Sequence, residues 1–265
     1  MKKTIIQGII TFLIFFGTWF ALTQIDWVKV FKVQQVTDKT EQKLGELFWE
    51  VFKKTEKESQ NPLVINSVDS IVTVICKTNK IDREKIKIHI LNKDDINAFA
   101  LPNGHLVVYS GLILNSDNQE ELTGVICHEI AHIELNHMMK KLVKEIGLSA
   151  LISMTTGNGG GEVIKETAKT LSSSAFDRSL EKEADIKAVD YLVKAKVNPE
   201  SFANFLYKLS DKEHEATKYL TWISTHPDSK ERAEYIIEYS KGKLTEYKPI
   251  LTNKTWDNLK EELKE

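Results

Sequence analysis

Within Gly124-Val125-Ile126-Cys127-His128-Glu129-Ile130-Ala131-His132, two histidines stand four residues apart and a glutamate directly follows the first. On an α-helix that spacing stacks His128 and His132 on one face, where two neutral imidazoles can share one Zn²⁺ at about 2.0–2.1 Å each. Glu129 lies about 100° further round, outside the stack but within reach of a metal-bound water. Two ligands, an open coordination position and a nearby base are what metal-assisted hydrolysis requires. The neighbours Leu122, Val125, Ile126, Ile130, Ile133 and Leu135 are apolar, and a polar trio buried among them without partners would be costly. The stretch therefore reads as a zinc-binding helix and not as a helix with two incidental histidines.

Catalytic zinc takes a third protein ligand. A metzincin continuation would need Gly at 135 and His at 138, but the chain has Leu135 and Met138. Two carboxylate pairs stand at helical spacing further on: Glu162 with Glu166, and Glu181 with Asp185. In the second pair, Glu181 can bind the metal while Asp185, one turn later, accepts the N–H of a ligand histidine and fixes its tautomer. The competing reading is a solvated, charged helix start, and spacing alone leaves both pairs open. His137, five residues after His132, falls on another face and reads as a helix-end residue.

Other elements must hold these groups. Residues 36–57 and 64–77 read as amphipathic helices, interrupted by Asn61-Pro62. Residues 85–90 alternate as a half-buried strand with His89 on the polar face and without a role. Asn97-Ala98-Phe99-Ala100-Leu101 and residues 106–110 are two further extended runs, joined by the turn chemistry of Pro102-Asn103-Gly104. Such backbone beside a metal cleft can receive a substrate peptide as an added strand, or it can be an ordinary structural hairpin. The zinc helix is expected from about Gln119 to His137, then a helix over 139–154, a glycine-rich connector over 156–161, and helices over 178–194 and 199–209. Trp222 to Pro227 reads as a loop ahead of Asp228, a good N-cap for the last core helix. The tail from about Asn253 to Glu265 reads as an exposed helix or a frayed end.

At 265 residues the chain holds one sizeable domain plus an anchor. A net charge of −2 shows no nucleic-acid footprint, and two cysteines, Cys76 and Cys127, make no disulfide framework. Lys2 and Lys3 precede an apolar run from Thr4 to Thr23, just long enough to span a bilayer as a helix of about 20 residues. Bulky Trp19 and Phe20 crowd the cleavage position a signal peptide would use, which favours an uncleaved signal anchor over residues 1–25, the alternative being secretion after cleavage. The lysines place the N-terminus in the cytoplasm and the 26–265 domain on the far side of the membrane, periplasmic in a bacterium.

The ordered set His128-Glu129-x-x-His132, Glu181-x-Glu183-Ala184-Asp185, Asn97-Ala98-Phe99-Ala100-Leu101-Pro102 and Thr225-His226-Pro227 resembles the HtpX, Oma-type and CAAX prenyl protease family of gluzincin endopeptidases. The resemblance runs from about Val64 to Tyr239. It implies one zinc held by His128, His132 and Glu181, with Glu129 as catalytic acid/base and Asp185 supporting a ligand from behind. It also brings the Thr225–Pro227 loop to the cleft. There His226 either donates to the oxyanion or occupies the open zinc position in a resting state, and Arg232 either pairs with Asp228 or faces the substrate together with Asn97, Ala98 and Phe99. A single apolar segment sets the chain apart from the polytopic members and points away from prenylated-protein processing. The expected fold is α+β, a mostly helical zincin-type domain with a small sheet beside the active-site helix. The expected function is zinc-dependent cleavage of protein or peptide substrates, as in membrane-associated quality control. The alternative is a membrane-tethered binding or chaperone-like factor with a closed, structural zinc site.

Overall fold

Helix α4, Gln119–Glu134, runs through the middle of the larger unit of a computed structural model, and nearly every residue from Gln119 to His132 is buried. The structure describes residues 33–157, 160–211, 217–243 and 246–264, together with Gln7, Phe12 and residues 15–17. Asn118 starts α4 by accepting the Glu121 amide (2.9 Å), and Gln119 closes a reciprocal pair with the backbone of Leu251. Gly124 is needed here: a Cβ at this position would lie 2.4 Å from Phe202 Cβ.

In chain order the helices are α1 (Val33–Thr55), α2 (Pro62–Asn79), α3 (Ser110–Asn115), α4, α5 (His137–Glu145), α6 (Leu148–Thr155), α7 (Gly161–Leu171), α8 (Arg178–Lys194), α9 (Pro199–Asp211), α10 (Thr217–Thr225), α11 (Ser229–Ser240) and α12 (Asn253–Glu262). Between α2 and α3 lie the strands β1 (Lys87–Leu91), β2 (Ala98–Leu101) and β3 (His105–Tyr109). The architecture is the expected mostly helical α+β with a small sheet. Helices α8 and α9 and strand β2 pack on α4, and α11 packs on α8 and α9.

The sheet has the order β1-β3-β2, with β1 parallel and β2 antiparallel to β3. Asn103 and Gly104 take positive φ (61° and 72°) in the β2–β3 turn, and a side chain on Gly104 would strike the Lys85 carbonyl. One face of the sheet joins the core built on Val68, Ile71, Ile126, Ile130 and Phe202. The other face carries Phe99, Leu101 and Val107 into a second core with Leu44, Phe48 and Phe52 of α1, Met138 and Leu142 of α5, and Phe176. Each fully buried Leu, Ile or Phe contributes about 1.5–3 kcal/mol, so the strands are clamped from both sides.

Several expectations are corrected. The helix expected over 139–154 is two helices, parted at Gly147 (φ 88°). Trp222 lies on α10 and not in a loop. Asp228 has left-handed backbone (φ 60°) and makes no capping bond, because its carboxylate binds Arg178 (2.8 Å). The tail helix α12 is anchored: Trp256 and Leu259 are buried in the main core. His89 is stacked on Trp49 (3.5 Å) and bonded to Glu58 (3.0 Å) and His105 (2.9 Å).

The chain forms two compact units, Met1–Glu41 and Gln42–Glu265. The anchor expected over residues 1–25 falls almost wholly outside the described residues. Among the described residues no helix is long and apolar enough to cross a membrane.

Gly124→Ala should cost about 1–3 kcal/mol by overpacking α4 against α9. Thermal unfolding of the variant checks this, and an unchanged melting temperature would contradict the packing described.

Candidate metal centre

His128 and His132 project from one face of α4, Glu181 from the first turn of α8, and His226 from the residue after α10. Their metal-seeking atoms all lie within 4.8 Å of one another, and all four residues are buried. His128 Nε2 is 3.0 Å from His132 Nε2, 3.5 Å from Glu181 Oε2 and 3.4 Å from His226 Nδ1. Glu181 oxygens stand 3.4 Å from His132 Nε2 and 3.2 Å from His226 Nδ1. Ligands placed tetrahedrally at about 2.0–2.1 Å from a zinc ion are separated by about 3.3–3.4 Å. The donor set therefore fits a zinc ion in size and in chemistry. The competing pair, Glu162 and Glu166, is exposed on α7 and takes no part in this group.

A ring of partners orients these donors. His128 Nδ1 lies 2.8 Å from Asp185 Oδ1, which places the ring proton there and the lone pair on Nε2. Asp185 is in turn gripped by Arg232, Nε to Oδ2 at 2.8 Å and Nη2 to Oδ1 at 2.7 Å, and receives the Tyr235 hydroxyl. Arg232 Nη1 also reaches Glu181 Oε2 at 2.7 Å. Arg232 is thus a buried clamp on two acids of α8. It does not pair with Asp228, as the sequence allowed, because Asp228 takes Arg178.

Glu129 is fully buried, and neither oxygen makes a hydrogen bond among the described residues. Its nearest ionic neighbour is His226 Nε2 at 3.4 Å, and the Ala100 amide of β2 also acts on it. Burial, with the Glu181 charge, pushes its carboxyl well above the usual range. Glu181 behaves oppositely: burial would raise it, but Arg232, His226 and His132 together hold it well below. Asp185, also buried, is drawn down to about 2 by Arg232 and His128. Burial drives His128 down to about 3 and lowers His132 as well.

Three further contacts to the ligand rings were not foreseen from the sequence. Phe176 stacks on the His132 ring (4.1 Å) and Trp222 on the His226 ring (4.2 Å). His137 Nδ1 lies 3.1 Å from His132 Nδ1. On β2, Tyr109 donates to Asn97, so by antiparallel alternation Phe99 and Leu101 also bond β3 while Ala98 and Ala100 turn their backbone groups the other way. The Phe99 ring itself packs against Phe52 and Tyr109 and does not line the site. A groove with about 220 Å³ of space, walled by Arg178, Lys182, Pro227 and Tyr235, reaches Glu181 and Arg232 from outside.

The family model of peptidase family M48 matches residues 62–240, which carry every residue of this centre. The chain is 25% identical over 199 residues to a beta-barrel assembly-enhancing protease of Yersinia pestis, covering 71% of this chain and 41% of that protein. It is 32% identical over 163 residues to the mitochondrial metalloendopeptidase OMA1 of Bos taurus, covering 56% and 31%. To the metalloprotease LoiP of Escherichia coli (strain K12) it is 31% identical over 166 residues, covering 60% and 64%. The chain thus spans less than two thirds of each of these relatives.

Metal-free protein should lose stability in acid. Burial lowers His128, His132, His105 and His137, so each is neutral when folded and takes up a proton when unfolded. Their contribution is complete above about pH 6.5 and drains away as pH falls toward 3–4. Asp185 adds to the loss below its unfolded value of 3.8, while Glu129 and Glu121, both raised, oppose it with fewer protons. The melting temperature of chelator-treated protein should therefore drop between pH 7 and pH 4, and a level or rising profile would contradict this balance.

Proposed function

The chain belongs to peptidase family M48, and we propose that it is a zinc-dependent endopeptidase acting on protein substrates from a membrane-anchored position outside the cytoplasm. The observation that carries this reading is the buried donor group of His128, His132, Glu181 and His226, whose ligand atoms lie within 4.8 Å of one another, with the buried carboxylate of Glu129 beside it. Zinc held by the first three would lower the pKa of water and polarise the scissile carbonyl.

Glu129 takes the proton of the attacking water on a carboxylate oxygen and passes it to the leaving amine nitrogen. Burial raises its affinity for a proton in the metal-free protein, which favours the uptake step. Asp185 holds the proton of His128 on Nδ1, so that Nε2 stays a donor, and Arg232 fixes Asp185 and Glu181 together. The outward backbone of Ala98 and Ala100 receives the substrate as an added extended strand, which brings peptide bonds to Glu129 with little side-chain selection. The similarity to a beta-barrel assembly-enhancing protease supports protein substrates of the membrane. The apolar run from Thr4 to Thr23 supports a membrane anchor.

His226 favours a second reading. Its Nδ1 completes the donor set, and structural zinc sites are closed and four-coordinate whereas catalytic ones keep an open position. In the endopeptidase reading this is a resting arrangement that His226 leaves when substrate arrives. In the other, the centre is permanently closed and the protein is a tethered binding or chaperone-like factor.

Glu129→Gln should keep zinc yet lower casein cleavage by at least about 100-fold. Retained cleavage in that variant would remove Glu129 from the mechanism. His226→Ala should keep zinc and cleave casein several-fold faster than wild type. Tightly held zinc with no cleavage in wild type or His226→Ala would favour the binding role.

A further inference from the structure

On an unbroken helix, a residue five places after His132 would stand about 140° away from it. The chain avoids that. Helix α4 ends at Glu134, Asn136 adopts the left-handed conformation (φ 54°, ψ 36°), and the turn delivers His137, the first residue of α5, against the back of the His132 ring. His137 Nδ1 lies 3.1 Å from His132 Nδ1, and its Nε2 lies 3.2 Å from Glu183 Oε2 on α8. His137 is fully buried, whereas the Glu183 side chain is 51% exposed.

The protons can be placed. A His132 that offers Nε2 to a cation carries its hydrogen on Nδ1, and the atom facing that hydrogen is His137 Nδ1. His137 must then accept on Nδ1 and hold its own hydrogen on Nε2, where Glu183 accepts it. We propose that His137 and Glu183 form a positioning relay for His132, a neutral ring that fixes the ligand's tautomer and is itself fixed by a carboxylate near the surface. The two ligand histidines are thus secured by different means. His128 leans directly on the buried Asp185 (2.8 Å), while His132 reaches its carboxylate through an intervening imidazole. A second acid placed directly behind the ligands, at His132, would have added a fourth buried carboxylate beside Glu129, Glu181 and Asp185; the relay leaves that charge in water.

This inference rests on the metallopeptidase reading, since it needs His132 to be a ligand. The test is the zinc dissociation constant, by chelator competition, with the visible spectrum of the cobalt-substituted protein and the melting curve of each metal-free form. His137→Phe should weaken zinc about 10–100-fold and shift the cobalt bands. His137→Asn, whose side-chain carbonyl can replace the lost acceptor, should recover most of the affinity. Glu183→Ala, at an exposed position that leaves folding intact, should weaken zinc several-fold, and Glu183→Gln, still an acceptor, should stay near wild type. Zinc affinity within twofold of wild type in both His137→Phe and Glu183→Ala would overturn the relay. So would an equal loss in His137→Phe and His137→Asn accompanied by lowered melting of the metal-free forms, which marks a packing role only. Wild-type protein that binds no zinc would instead overturn the metallopeptidase reading.

Discussion

Three carboxylates, those of Glu129, Glu181 and Asp185, are sealed from water around two ligand-bearing imidazoles, with the single guanidinium of Arg232 in direct contact with two of them. Glu181 and Asp185 are held ionised beside Arg232 while burial favours a proton on Glu129, so the pocket holds one surplus negative charge, and two once Glu129 gives up its proton, which a divalent cation would balance. Burying such an excess without compensation is expensive, so the arrangement makes physical sense as one half of a metal complex. The rest of the fold follows from keeping it together. Helix α4 supplies two donors, α8 supplies an acid one turn before the acid that orients His128, and α11 supplies the clamp across both.

That division explains what could be read from the chain and what could not. The His128–Glu129–His132 spacing carried the metal centre because a helix repeats every 3.6 residues and needs no tertiary information. Glu181 and Asp185 were legible as a pair sharing a helix face, but spacing did not distinguish them from Glu162 and Glu166; the family resemblance did, and the structure puts Glu181 in the donor group while Glu162 and Glu166 lie exposed on α7. Of the two roles the sequence offered Arg232, pairing with Asp228 is replaced by the grip on Asp185 and Glu181, because nothing in the sequence tells a guanidinium which of several acids lies across the helix interface. His137 was misassigned for a local reason: helical extrapolation assumed a continuous α4, and one left-handed residue, Asn136, reverses the direction of the side chain. The strands were found, yet the parallel pairing of β1 with β3 was not, since alternation fixes which face is buried and not which neighbour is adjacent. The tail was read as exposed from its charge, although Trp256 and Leu259 bury their side chains.

The same close packing sets the conditions for activity. Phe176 and Trp222 cover the rings of His132 and His226, and Lys141 and Lys144 of α5 hold the segment around Phe176 through Ser174 and Asp177. On the proposed reading, a protein chain reaches Glu129 only after part of this cover moves. The groove beside Arg178 and Tyr235 opens to the outside, whereas the edge of β2 that faces away from β3 is buried and would be reached only once the cover has moved.

The central claim is that a cation bound here is held by two imidazoles of one helix and a carboxylate about fifty residues later. The direct measurement is metal content of the purified protein together with X-ray absorption at the zinc edge, on wild type and Glu181→Ala. One zinc per chain, ligated at about 2.0–2.1 Å by nitrogen and oxygen and losing an oxygen neighbour in Glu181→Ala, is the predicted result. Absence of stoichiometric metal, or a coordination shell indifferent to the loss of Glu181, would contradict it.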